Sequence, residues 1–202
     1  RGAGWLFFVV LFLGGPPPPP GGPAPPPPPP PSPQGDPMDR TIRTEPLTAA
    51  AFAAFGEVLE ARGTPDRRIN QGLCGRFHDR ATLDFGSGRA GISIFEATAQ
   101  TLPYQFDLVE RHPEGSQAFL PMTSHPFLVI VAPDEGTRPG RPRAFLTAGR
   151  QGINLRRGTW HGVLTPLHPP GLFAVVDRIG DGANLEEYRY AAPWRVLRDG
   201  PA

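Results

Sequence analysis

Between Pro16 and Pro37 the chain is dominated by proline and glycine, and such a segment offers few backbone donors for a ladder and almost no apolar side chains to bury. That stretch cannot be core, so whatever folds must lie beyond it. More than half of the 29 prolines fall there, whereas from Met38 onward Phe, Leu, Ile and Val mix with scattered charges as in an ordinary globular domain. About 165 residues remain, enough to bury a substantial core. The expected organisation is therefore an apolar and Pro-rich extension at 1–37, disordered or not native, and a folded domain at 38–202 with Met38 as its natural start. If residues 1–37 are made, they are expected to form a polyproline-II tail.

The apolar run from Gly4 to Leu13 is far shorter than the roughly 20 residues a spanning helix needs. It also fits a signal peptide poorly, with only Arg1 as a basic leader and Gly-Gly-Pro-Pro where a cleavage site would stand. No membrane association is expected. Cys74 is the lone cysteine, which excludes an intramolecular disulfide framework and fits a reducing, cytoplasmic setting; by itself it reads as a small buried hydrophobe. All 20 basic residues are arginine, but they are dispersed among 19 acids and form no basic stripe with interleaved aromatics, so nucleic acid is not an expected partner.

The first regular element is expected to be a helix over Ala49–Phe55, with Thr48 as N-cap, Leu47 stapling onto Phe52 and Gly56 as the stop. Beyond it, short β-type runs are punctuated by Gly, Pro and Asp: Gly91–Phe95, Gln117–Leu120, Phe127–Ala132, Arg143–Thr147 and Leu172–Val176, with a loop at Pro133–Pro142. No long amphipathic helix interrupts them and no internal repeat appears. The pattern predicts an all-β, mainly antiparallel sandwich or barrel with a short N-terminal helix.

There is no phosphate-cradling loop ending in Gly-Lys-Ser/Thr, no Cys-x-x-Cys and no Gly-x-Ser-x-Gly, so no nucleotide cofactor and no serine nucleophile are expected. Two polar clusters remain beside β-type runs, Glu110-Arg-His-Pro-Glu-Gly-Ser-Gln117 and Gly158-Thr-Trp-His161. Cupin-type double-stranded β-helix barrels carry His-x-His, four residues, then Glu, with a later Gly-x-x-His. Here Glu110 and His112 occupy the first pair, Gln117 stands where Glu belongs, and His161 closes the last motif. Such positions point inward with period two, so Glu110, His112, Gln117 and His161 are candidates for a shared divalent-ion site. Each histidine also has a structural reading, as a hydrogen-bonded residue at a strand end. His125 and His168 in Pro-flanked loops, and Glu114, are read as structural or solvated. Arg76-Phe-His-Asp79 follows Asn70-Gln-Gly72; Arg76 suits a substrate carboxylate through its planar fork, or else pairs with Asp79 at the surface. Asp177-Arg178 presents the same ambiguity.

Phe52-x-x-Phe-Gly56, Ile69-Asn-x-Gly72, Arg76-Phe-His-Asp79, Glu110-Arg-His-Pro-x-Gly-Ser-Gln-Ala-Phe119, Gln151-Gly-Ile-Asn154, Gly158-Thr-Trp-His161 and Asp177-Arg178 together resemble the ureidoglycolate lyase family, from about Thr41 to Arg189. The sequence departs from that family's pattern after His161, where Gly162-Val163 stand in place of a second histidine and a proline. The resemblance implies a cupin-like barrel, a homodimer, and a carbon–nitrogen lyase of the amidine-lyase type that cleaves ureidoglycolate to glyoxylate and urea in the allantoin branch of purine catabolism. It implies nickel as the divalent ion, if one is bound. Collapse of the substrate's carbon needs two proton transfers. Glu110 or His112 is expected as base, His161 as acid or metal ligand, and Asn70, Arg76, His78, Gln117 and Arg178 as substrate-binding residues. Two alternatives stay open on the residues alone: a metal-dependent cupin of another reaction class, such as an oxygenase or isomerase, and a non-catalytic small-molecule-binding barrel.

Overall fold

A computed structural model describes residues 40–199. The apolar run at 4–13, the Pro-rich stretch and the boundary at Met38 lie outside the described residues. The elements run β1 (Thr41–Pro46), α1 (Ala49–Phe52), β2 (Gly56–Leu59), β3 (Arg67–Ile69), β4 (Cys74–Arg76), β5 (Arg89–Ala97), β6 (Tyr104–Arg111), β7 (Gln117–Pro121), β8 (Phe127–Ala132), β9 (Arg143–Leu146), β10 (Gly152–Leu155), β11 (Trp160–His161), β12 (Thr165–Pro166), β13 (Gly171–Ile179) and β14 (Glu186–Leu197).

Phe127-Leu-Val-Ile-Val-Ala132 is an uninterrupted apolar run, and β8 is accordingly buried on both faces. Phe127, Val129 and Val131 enter one core with Phe52, Phe119, Phe145, Phe173 and Val175, while Leu128, Ile130 and Ala132 enter a second with Val109, Trp160, Trp194 and Val196. Each fully buried Phe or Leu in these layers contributes about 1.5–3 kcal/mol relative to exposure. The strand thus separates two layers. On one side a ring closes in the order β11-β6-β14-β1-β9-β8, because two-residue β11 pairs with both β6 and β8. On the other, the five-stranded sheet β2-β10-β7-β13-β5 covers β8 and β9 through the first core. The all-β barrel expected from the strand pattern is what forms. It is mixed in one place, since β1 runs parallel to both β14 and β9.

The expected first element needs correction. Strand β1 precedes the helix, and α1 stops at Phe52 after a single turn. Thr48 does cap it, with Oγ1 accepting from the Ala51 N–H at 3.2 Å, and Leu47 and Phe52 are buried in the same cluster. Gly56 is not a helix stop: it begins β2, and a Cβ there would collide with the Asn154 backbone carbonyl across the β2–β10 pair. Strands β6 and β14 were not legible as runs. Pro193 breaks the pattern of β14, and the fold absorbs it where the register with β6 shifts between Arg189 and Trp194.

Candidate functional site

Glu110 lies at the end of β6 and His112 one residue past that strand, and the chain carries both to within ligand distance of His161. His161 comes from β11, whose register sets it directly opposite Glu110. One ligand atom from each of Glu110, His112 and His161 falls within 4.8 Å of the others, and the two imidazole centroids are 5.3 Å apart. His161 is 3% exposed, with Glu110 and His112 half-buried above it. Next to this register, Trp160 Nε1 donates to Asp134 Oδ1 at 3.1 Å, and Arg111 lies 4.4 Å from the Trp160 ring centroid while pairing with Asp134 and Glu186. Those contacts pin β11 against β6 and so hold the imidazole beside the carboxyl group.

Hydrogen bonds settle which ring nitrogens carry the protons. His112 Nδ1 lies 2.6 Å from the Asn184 backbone carbonyl, which only accepts, so Nδ1 carries the proton and donates. Its Nε2 is left as a buried lone pair with no partner. His161 repeats the arrangement: Nδ1 donates to the Gly162 carbonyl at 3.1 Å, sits 4.0 Å from Glu110 Oε1, and leaves Nε2 buried and unpartnered. Burial, and then the neighbouring His112, push the His161 pKa down from 6.5 to about 4, so the ring is neutral. Burial raises the Glu110 pKa above the ordinary carboxylate range, partly opposed by His112. One carboxyl group and two imidazoles, each ring with one nitrogen left unpartnered, form a donor set that suits a divalent transition metal, and the same groups can move protons.

Gln117, the fourth residue of the expected set, is buried at the start of β7 on the face that carries Phe119, whose ring lies 6.4 Å from His161. Its Oε1 has no hydrogen-bond partner. The other expected substrate-binding residues lie elsewhere. Asn70 sits in the tight turn between β3 and β4, with φ +51°, and Arg76 ends β4; with His78 they are exposed on a hairpin that joins neither large sheet. The ion pair near that hairpin is Arg80 with Asp66, at 2.8 Å, and Asp66 also accepts from the His78 backbone N–H. Cys74 on β4 is exposed, not the buried hydrophobe expected. Arg178 is 9% exposed, packed where Gly88, Gly115 and Gly180 leave room for it, and its Nε is unpartnered. His125 and His168 lie at the surface with ring centroids 5.1 Å apart, and Glu114 pairs with Arg157.

Two features escape inspection of the sequence. Asn184 orients His112 through its backbone and takes the Glu114 N–H on its side chain, from a loop about 70 residues away with no motif around it. Conversely, Gln151 and Asn154 look like site residues but serve the architecture: Gln151 bonds Glu60 and the Leu47 carbonyl, and Asn154 bonds Glu57 and the Thr82 carbonyl. At 162, a Cβ would lie 3.0 Å from Ile130 Cβ, so a histidine there would crowd the barrel wall in this chain.

The profile of the family described as ureidoglycolate lyase matches residues 39–197. A ureidoglycolate lyase of Rhodobacter capsulatus is 63% identical over 153 residues, covering 75% of this chain and 95% of that protein. One from a Chelativorans species is 51% identical over 78% of this chain and 96% of its own length, and ureidoglycolate lyase 2 of Rhizobium meliloti is 45% identical over 75% and 94%.

Proposed function

Since the chain belongs to the ureidoglycolate lyase family, we propose that it is an enzyme that cleaves ureidoglycolate to glyoxylate and urea, and that it does so at Glu110, His112 and His161. The observation that carries the assignment of the site is the convergence of one carboxyl group and two imidazoles whose free nitrogens are buried and unpartnered. The reaction fits that chemistry. The substrate's central carbon bears a hydroxyl, a ureido nitrogen and a carboxylate; as the hydroxyl loses its proton the carbonyl of glyoxylate forms, and the departing nitrogen must gain a proton to leave as urea.

His112 Nε2, bare because Asn184 holds the proton on Nδ1, accepts the hydroxyl proton. Glu110, whose pKa is raised by burial, holds a proton at higher pH than an ordinary carboxylate and delivers it to the nitrogen. His161 is neutral at working pH and so would serve as a metal ligand and spacer rather than as a protonated acid. In a metal-bound form, a divalent ion, nickel by family resemblance, would be held by Glu110, His112 and His161 and would supply polarisation of the hydroxyl oxygen; in that form these side chains are ligands in place of the base and acid just described. Arg76 and Arg178 are the two candidate anchors for the substrate carboxylate, with Asn70 and His78 flanking Arg76 and Gln117 facing the ureido amide.

The protein is further read as a cytoplasmic homodimer acting in allantoin catabolism. Exposed Ile92 and Ile94, 76% and 61% exposed on the outer face of the five-stranded sheet, support a partner surface. No helix among the described residues is long and apolar enough to cross a membrane. Incubating purified protein with ureidoglycolate should release urea and glyoxylate in equal amounts; turnover of a different carbonyl compound with no urea release would overturn the reading.

A further inference from the structure

One pair of buried polar atoms on the inner face of the five-stranded sheet is only half used by the reaction described above. β13 sends Phe173 and Val175 into the core between the sheets, so the two-residue period turns Asp177 the same way. The neighbouring strand agrees. A Cβ on Gly91, the residue paired with Asp177, would lie 3.7 Å from Asp177 Oδ1, and Phe95 on the same face of β5 meets Phe119 with ring centroids 6.4 Å apart. On the other side, the β13–β7 ladder pairs Val175 with Phe119 and Val176 with Ala118, and one step further along that register Asp177 comes opposite Gln117. Directly opposed residues of an antiparallel pair carry their Cβ atoms about 5 Å apart. Each residue presents a fully buried oxygen without a hydrogen-bond partner, Asp177 Oδ1 and Gln117 Oε1.

Two buried acceptors without partners on neighbouring strands call for a ligand rich in N–H donors. Arg178 does not fill that role: it is held by Gly88, Gly115 and Gly180 and donates to the Asp181 carbonyl at 3.3 Å. The geometry points to Asp177, together with Gln117, as the pair that recognises the ureido end of the substrate, an assignment that rests on the ureidoglycolate reading. In a ureido group the internal N–H and one terminal N–H are parallel, a fork that one carboxyl group accepts as it accepts a guanidinium. The Gln117 amide oxygen takes the remaining terminal N–H. Neither the hydroxyl nor the carboxylate of the substrate offers that pattern, so the pair fixes which end lies against β7 and β13. Phe119, on the Gln117 face and 6.4 Å from His161, marks how close that wall runs to the reacting groups. Gln117 is thereby assigned to the substrate and not to a metal ion.

Steady-state kinetics of the full chain with urea and glyoxylate as product inhibitors provide the test. Asp177→Asn replaces one acceptor by a donor at nearly constant shape. It should raise KM for ureidoglycolate and the inhibition constant of urea by about tenfold or more, while that of glyoxylate, which has no N–H, stays within about twofold. Gln117→Met, which removes the amide oxygen at similar length, should give the same split and carries the test if Asp177→Asn does not fold. A damaged scaffold would weaken both inhibitors together; that result, or an unchanged urea constant, overturns the assignment while an active wild type leaves the lyase reading standing. A wild-type protein that forms no urea from ureidoglycolate would overturn the lyase reading first, and this assignment with it.

Discussion

Glu110, His112 and His161 hang from strands of a closed barrel, with His161 3% exposed and every proton on its ring accounted for, whereas Asn70, Arg76 and His78 lie in or beside a two-stranded hairpin whose strand residues are all exposed. Both clusters combine histidine with charged groups, and in the sequence they look equally rich. What separates them is the environment. Burial perturbs the pKa values of Glu110 and His161 and leaves lone pairs without partners, while water solvates the hairpin and leaves its side chains to be ordered by whatever binds. Preorganised groups of the first kind are suited to chemistry, and solvated groups of the second kind to binding.

Substitutions should expose that contrast most sharply in turnover. Glu110→Gln keeps the shape but removes the transferable proton, and kcat for urea release should fall by about 100 to 10,000-fold. Arg76→Ala on the hairpin should leave kcat within about twofold. A comparable loss of kcat from Arg76→Ala would erase the distinction between the two regions. Dialysis against a strong chelator is the next largest effect: activity should drop on the order of a hundredfold and return with nickel, because the two free imidazole nitrogens and Glu110 form the donor set. Activity untouched by chelation would assign the three residues to proton transfer alone.

Stability should register the same difference. The folded-state pKa of His161, about 4, lies below its ordinary 6.5, so between those pH values the unfolded chain takes up a proton that the folded chain refuses. In chelated protein, this group's contribution is complete above about pH 6.5 and is lost as pH falls towards 4, by on the order of 3 kcal/mol. Denaturant unfolding of wild type and His161→Gln at both pH values measures it, and an equal pH dependence in the two proteins would contradict the burial argument. A smaller effect is expected from Arg76 if it anchors the substrate carboxylate: Arg76→Ala should raise KM about tenfold, and an unchanged KM moves the anchor to Arg178. Least of all, Leu73→Ser at the hairpin, where Leu73 is 89% exposed, should change the unfolding free energy by under about 0.5 kcal/mol.

Much of the barrel was legible because its strands carry local signals. Phe127–Ala132 is apolar throughout and became the strand buried on both faces; Thr48 has a capping hydroxyl and caps. The elements that stayed hidden depend on partners distant in sequence. The bulged register of β14 makes Pro193 tolerable, and the close approach of Asn154 requires Gly56. The same division runs through the site. Glu110 and His112 could be paired by their spacing alone, since a strand's period is a local property, but Gln151 and Asn154 carried an equally distinctive motif and turned out to hold the scaffold.

The order of apolar runs, turn residues and charged pairs therefore determined a β-rich domain after the Pro-rich front, and set Glu110 and His112 two residues apart. Only the tertiary structure decided that two-residue β11 would close the ring and bring His161 opposite Glu110, that the Asn184 carbonyl would select the His112 tautomer, and that Arg76 would remain in solvent while Arg178 became buried. The reason is physical: periodicity and turn chemistry act over a few residues. Strand register, burial and the resulting proton positions depend on groups 50 to 70 positions away, whose proximity exists only once the sheets have packed.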